Sequence, residues 1–245
     1  MTVGNLVRVV LLALLPWTAH ADLRLVTEDN PPLNFRDAGS GEVRGVSVDV
    51  LREAAARTHV KIGSIALLPM VRAIELARTE ADTCVFPLVR TAERERQFVW
   101  VGPYTQNIWV FYARNDFATP IATLDDAKHF RIGSDLHSVK TAYLLSHGFT
   151  NLDLVPEDAN NPKKLAAGRF DLWLVGLYEG RIFAQQAHIN DVKPVFEVKR
   201  VDYYLACQRA LAPERVAALN AALGRMQADG TIQRMTDQYT SQMAH

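Results

Sequence analysis

The stretch GVSVDVLREAAARTHVKIGSIAL, residues 45–67, carries the pattern from which the fold class is read. Within it Val50, Leu51, Ala54 and Ala55 recur at helical spacing and predict a helix near 49–58 with one apolar face. Ile62 to Leu67 then reads as a strand. Upstream, across a loop containing Pro31 and Pro32, Leu23 to Thr27 is also strand-like, so strand, helix and strand follow in order.

The same alternation continues downstream. Pro69 opens a helix through Ala77, a favourable first-turn position for proline. Strands are expected at 83–86 and 108–113, a short helix capped by Thr123, a strand at 130–133, and a helix from Ser138 to Ser146 stopped by Gly148. A helix from Asn161-Pro162 to Gly168, a strand at 172–175, a helix at 177–187 and a last strand at 203–207 follow. Two terminal helices, 213–228 and 231–243, are separated at Gly230-Thr231. This order implies α/β architecture with largely parallel sheets. It suggests two lobes facing each other, with ligands held beyond the carboxyl ends of the strands in the cleft between them.

The chain has 245 residues, room for one or two domains with a real core. Hydrophobic residues make up 49% and charged residues 22%, which sets aside disorder, collagen, coiled coil and a polytopic membrane protein. Basic and acidic side chains cancel at 27 each, so no basic field exists to hold nucleic acid or an anionic membrane. The first 21 residues read as a secretory signal: Arg8, an unbroken apolar run from Val9 to Leu15, then Ala19-His20-Ala21 as a cleavage site before Asp22. That run is too short to span a bilayer. The expected location of the mature protein is outside the cytoplasm. Cys84 and Cys207 each lie inside an apolar strand-like run, and buried free thiols are the expectation, with a disulfide in the oxidising compartment as the alternative. The seven His are scattered, and no Cys/His cluster has metal-ligand spacing, so neither a metal nor a cofactor is expected.

Several segments then carry a resemblance. Leu23 to Phe35 forms an opening strand and Pro-containing loop, and Gly45-Val46-Ser47-Val48-Asp49-Val50 a Gly-x-x-x-Asp-hydrophobic helix entry. Thr91-Ala92-Glu93-Arg94 is followed by Phe98 and Gly102-Pro103-Tyr104, Gly168-Arg169-Phe170-Asp171 precedes a strand, and Asp229-Gly230-Thr231-Ile232 precedes the final helix. In this order, from Leu23 to about Tyr239, the chain resembles bacterial extracellular solute-binding protein family 3. The resemblance implies a two-lobed, type II periplasmic-binding-protein-like α/β fold with a cleft between the lobes and a two-strand hinge. It places lobe one at 22–106 plus 206–245 and lobe two at 107–205, behind a signal peptide at 1–21.

For function, the resemblance implies a non-enzymatic, monomeric receptor for a small carboxylate-bearing solute, an amino acid or related anion. Its partner would be an inner-membrane ABC permease or a sensor. An enzyme on the same scaffold, resembling cyclohexadienyl dehydratase, is the alternative. The position matching Arg94 clamps the ligand carboxylate, work suited to a planar guanidinium; on its own, the surrounding run Arg90, Glu93, Glu95, Arg96 reads as a solvated face. Thr91 would add a hydroxyl, or serve only as a cap. Glu28 falls at a polar contact position or on the surface, and Phe35 at a ligand platform or in the core. Ser138 would offer a hydroxyl and helix amides, or a plain N-cap. Arg72, in Pro69-Met70-Val71-Arg72-Ala73, would be a second anion contact or a surface charge.

Two departures from the family pattern stand out besides Met70 in place of an aromatic residue. Phe86-Pro87-Leu88 replaces small pocket residues and removes a backbone donor. Gly176 stands where the acid that binds a ligand ammonium is expected, and Glu179 can replace it only if the helix register brings it round. The expectation is that simple α-amino acids bind weakly and an anionic solute is preferred.

Overall fold

The computed structural model describes residues 21–136 and 138–241. The signal sequence read at 1–21 therefore lies outside the described residues, Ala21 apart. Among the described residues, ten strands and seven α-helices follow in chain order: β1 Leu23–Thr27, β2 Phe35–Arg36, β3 Val43–Arg44, α1 Val46–Ala56, β4 Ile62–Leu67, α2 Met70–Thr79, β5 Thr83–Val89, β6 Val99–Arg114, β7 Ile132–Asp135, α3 Val139–Ser146, β8 Leu152–Val155, α4 Asn161–Ala166, β9 Leu172–Gly176, α5 Leu177–Gln186, β10 Val192–Cys207, α6 Pro213–Ala228 and α7 Thr231–Ser241.

Eight strands make one mixed sheet in the order β4-β1-β5-β10-β6-β9-β7-β8. The short strands pair in parallel, β1 with β4 and β5, and β7 with β8 and β9. The two 16-residue strands β6 and β10 run antiparallel to each other through the middle. They also pair antiparallel to β9 and β5 respectively. The expectation of largely parallel sheets is corrected to that extent: each flank is parallel, and the antiparallel pair that joins them is not. Leu205–Cys207 meets Val99–Val101 on the β5 side, whereas Val192–Tyr203 meets Thr105–Arg114 on the β9 side. Two lobes thus hang from one pair of continuous strands.

Gly45, just before α1, has φ 128°, and a Cβ there would sit 2.4 Å from the Leu33 carbonyl oxygen. Only glycine fits. The close approach ties the loop after β1 to α1, with Val46 N and Ser47 N donating to the carbonyls of Pro32 and Leu33 at 3.0 and 2.9 Å. The C-terminal helices return to the first lobe: α6 and α7 pack on α1. Tyr239 OH donates to Asp49 at 2.6 Å, and Arg57 pairs with Asp229 at 2.7 Å.

Cys84 and Cys207 form a disulfide, which overturns the expectation of free thiols. The reason lies in the register: β10 runs antiparallel to β5, and Cys207 falls directly opposite Cys84. Both are fully buried. No single strand read in isolation shows which strand will lie beside it.

Candidate functional site

The site is assembled where strand ends and helix starts of both lobes converge. Glu28 follows β1, and the loop that carries it is closed on itself. Asn30 N donates to the Asn34 carbonyl at 2.7 Å, and Asn34 Nδ2 donates to the Glu28 carbonyl. Burial is the main influence on the Glu28 carboxyl and pushes it up to about 7; Lys140 acts against this, and Asp135, Glu179 and Asp158 add to it. Those four groups all belong to the other lobe, so Glu28 faces the cleft. Among the described residues its carboxyl has no hydrogen-bond partner.

Arg94 lies in the turn after β5. Thr91 holds that turn: its carbonyl and its Oγ1 both accept from Arg94 N, at 3.0 and 3.3 Å. Thr91 therefore caps a turn rather than a helix and fixes the stem of Arg94. The Arg94 guanidinium is half-buried, and burial presses its pKa downward while Glu93 and Glu28 oppose this; it stays cationic. Among the described residues it donates one side-chain hydrogen bond, from Nη1 to the Val89 carbonyl at 3.3 Å, and forms no ion pair. By contrast its neighbour Arg90 is locked to Glu95 through two bonds of 2.5 and 2.6 Å. The charge run read as a solvated face divides accordingly, with Arg90 and Glu95 outside and Arg94 turned inward.

The opposing lobe presents a largely buried charge cluster, of which the sequence reading named Glu179 alone. Lys140, in the first turn of α3, places Nζ 2.8 Å from Asp158, 3.5 Å from Asp135 and 3.9 Å from Glu179. A cation in a helix's first turn is opposed by the helix dipole, so the three carboxylates are what hold it there. Burial disfavours the charged forms of Lys140, Asp158 and Glu179. For Lys140 the acids together outweigh burial and hold its pKa well up; for Asp158 and Glu179 burial outweighs Lys140 and raises both carboxyls.

The acids are also tied to the frame. Asp158 Oδ1 accepts from Trp173 Nε1 at 2.7 Å and from Asn161 Nδ2 at 2.8 Å. Glu179 Oε1 accepts from Asn107 Nδ2 at 2.9 Å, and Oε2 from Gly176 N at 3.1 Å. Asn107, on β6, also donates to Tyr203 OH on β10 at 3.1 Å, so the cluster rests on both joining strands. Glu179 does come round to Gly176. A Cβ on Gly176 would lie 2.5 Å from Glu179 Oε2 and 2.7 Å from Asn107 Nδ2. The missing side chain at 176 and the buried carboxylate from 179 are thus one exchange, which the sequence reading had left open.

The other sequence candidates fall elsewhere. Ser138 is the N-cap of α3, accepting from Thr141 N at 3.1 Å and donating to the Asp135 carbonyl at 3.1 Å, so its hydroxyl is committed to the helix start. Phe35 packs edge-on against Tyr239, centroids 6.4 Å apart, in the lobe-one packing rather than with the Glu28 group. Arg72 is exposed on the first turn of α2 and makes no ion pair among the described residues. Lys140, Asp158 and Asn107 had no sequence signal. Asp135 had one, its place at the carboxyl end of a parallel strand.

Because Glu28 keeps its proton longer folded than unfolded, its contribution to stability is fully present below pH about 4.5 and is lost as pH rises through about 7. Glu28→Gln is therefore expected to gain stability relative to the natural protein between pH 5 and pH 8. Paired thermal unfolding at the two pH values checks this; parallel shifts of both proteins would sink it.

Two α/β lobes on a pair of joining strands, with opposed charged groups between them, define a type II two-lobed solute-binding fold. Residues 23–242 match the family model of bacterial extracellular solute-binding proteins, family 3, and the chain belongs to that family. The probable ABC transporter extracellular-binding protein YckB of Bacillus subtilis (strain 168) is 26% identical over 148 residues, 58% of this chain and 50% of that protein, so the match spans about half the relative's length. Among solved structures, a histidine kinase sensor domain with similarity to periplasmic binding proteins aligns with a TM-score of 0.79 at 21% identity, covering 90% of this chain and 96% of that one. An ancestral arginine-binding protein bound to glutamine aligns at 0.74 and 22% identity, covering 90% and 98%.

Proposed function

We propose that this protein is a periplasmic receptor, released from its leader after Ala21, that closes two lobes over a small carboxylate-bearing solute. Lobe one comprises 22–106 plus 206–245, and lobe two 107–205; the change of partner along β6 and β10 supports these limits. The observation that carries the reading is Arg94: a half-buried guanidinium on the same lobe as Glu28, close enough to feel its charge, with no ion pair of its own among the described residues. Desolvating a cation without pairing it is costly, and a bidentate carboxylate is the partner its fork fits. Glu28, carrying its proton near neutral pH, supplies a donor to a second ligand oxygen. The solute would be handed to an inner-membrane ABC permease or reported by a sensor. The family and the relative favour the first partner, and the sensor-domain likeness rests on fold alone.

The test is a thermal-shift screen of small carboxylates, since a ligand of the native state raises apparent stability with its occupancy, followed by small-angle scattering. A hit is expected to reduce the radius of gyration, because a solute touching Arg94 and the opposing cluster draws the lobes together. An unchanged radius on verified binding would mean a rigid cleft.

A second reading, an enzyme resembling cyclohexadienyl dehydratase, is favoured by one observation: a Glu28 carboxyl raised to about 7 is a competent proton donor at neutral pH. Incubation with prephenate and arogenate decides it. Turnover lost in Glu28→Gln would establish the enzyme, and absence of turnover leaves the receptor.

A further inference from the structure

The cluster around Lys140 deepens the proposed function and rests on that reading of the cleft. A receptor for α-amino acids needs, beside its carboxylate clamp, acceptors for a desolvated ammonium. Lobe two has collected such a set in Asp135, Asp158 and Glu179, and what lies among them is the ammonium of Lys140, at 3.5, 2.8 and 3.9 Å. Part of the acceptor capacity is also engaged. Both oxygens of Asp158 and both of Glu179 already accept from Trp173, Asn161, Asn107, Gly176 or Lys140. A solute's ammonium arriving there would meet a like charge and compete with the hydrogen bonds that these oxygens already accept. On the opposite side, Arg94 has donors to spare and forms no ion pair among the described residues, although Glu93 and Glu28 lie near enough to act on its charge. What remains unpaired on that side of the cleft is the Arg94 cation, which calls for an anion.

We propose that Lys140 determines specificity by filling the cation position of the cleft with the chain's own ammonium, so that the pocket takes carboxylates without an amino group and rejects α-amino acids. The solute class is 2-oxo-, 2-hydroxy- and dicarboxylates. Glu179 folding back over Gly176 belongs to the same arrangement, because it supplies one wall of the cage that Lys140 occupies. The notion that position 176 leaves a missing acid is thereby replaced: the acids are present, and the chain's own ammonium already lies among them.

Calorimetry on the full protein with matched sets tests this: 2-oxoglutarate, 2-hydroxyglutarate and glutamate; phenylpyruvate, phenyllactate and phenylalanine. In at least one set the oxo or hydroxy acid is expected to bind ten-fold or more tighter than the amino acid. Lys140→Met, which empties the cage, is expected to move that preference ten-fold or more toward the amino acid, while Lys140→Arg keeps the wild-type order. Should the methionine variant fail to fold, the wild-type order and the arginine variant still decide. Equal or tighter binding of the amino acid by the natural protein, or an unchanged order in a folded Lys140→Met, overturns the proposal and leaves carboxylate capture standing. If neither set binds the natural protein or the variants, the carboxylate reading falls and this proposal with it.

Discussion

Arg94→Ala is expected to cost about 2–5 kcal/mol of binding free energy for the carboxylate solute, the usual loss when one partner of a buried charged hydrogen bond is removed. That is about thirty-fold to several thousand-fold in Kd. The fold should survive, because the side chain contributes a single 3.3 Å hydrogen bond, from Nη1 to the Val89 carbonyl, while the turn is held by backbone and Thr91 contacts that alanine keeps. Arg94→Lys should fall between the two, retaining a charge but losing the planar fork. Calorimetry reads the loss and circular dichroism the retained fold. Affinity unchanged in Arg94→Ala would remove Arg94 from the site and with it the observation on which the receptor reading stands. The arginine-to-lysine comparison adds a geometric control: equal binding by both would mean that only charge matters, and the carboxylate is not held side-on.

The parts of this fold that were legible in sequence are those whose boundaries are marked by local chemistry. Helix α6 begins at Pro213 and ends at Ala228 as read, because proline sits in its first turn and Asp229-Gly230 follows its end. Strands β1 and β4 were likewise bounded correctly, being short apolar runs between loops. The long strands were not. β6 begins at Val99, well before the expected 108, and β10 at Val192 rather than 203. The added lengths hold Gly102-Pro103, Pro194 and the polar run Lys199-Arg200-Val201-Asp202, none of which carries an apolar strand pattern. These segments are strands because they cross between lobes with solvent close by, so polar residues suit them and the hydrogen bonds come from the partner strand. β8, four residues at the edge of the sheet with Leu154 exposed, carries too little apolar signal to stand out.

The site divides in the same way. Arg94 and Glu28 were found through motif and loop position. Lys140 was hidden, since a lysine two residues after a serine cap looks like ordinary helix surface. It is buried because the start of α3 lies beside the carboxyl ends of β7 and β9, where Asp135 and Glu179 also emerge. Periodicity along one helix does not report what three other elements bring to its first turn.

The disulfide is expected to carry the largest single share of stability. It closes a sequence separation of 123 residues, and a loop of that size restricts the unfolded chain enough to be worth about 2–5 kcal/mol. It also fastens β10 to β5 at the point where the chain returns to lobe one, so its loss frees α6 and α7 together with the strand that leads into them. The double variant Cys84→Ala, Cys207→Ala should therefore lower the unfolding free energy by that amount in urea and lower Tm by roughly 10 °C, at about 2–4 °C per kcal/mol for a chain of this size. Alanine is the proper replacement, because both sites are fully buried and a serine hydroxyl there would need a partner. A disulfide of this kind forms and persists under oxidising conditions, so the protein made in a reducing cytosol should behave like the double variant until it is oxidised. Coincident urea midpoints for the oxidised protein and the variant would show that β5 and β10 are held by their ladder and packing alone.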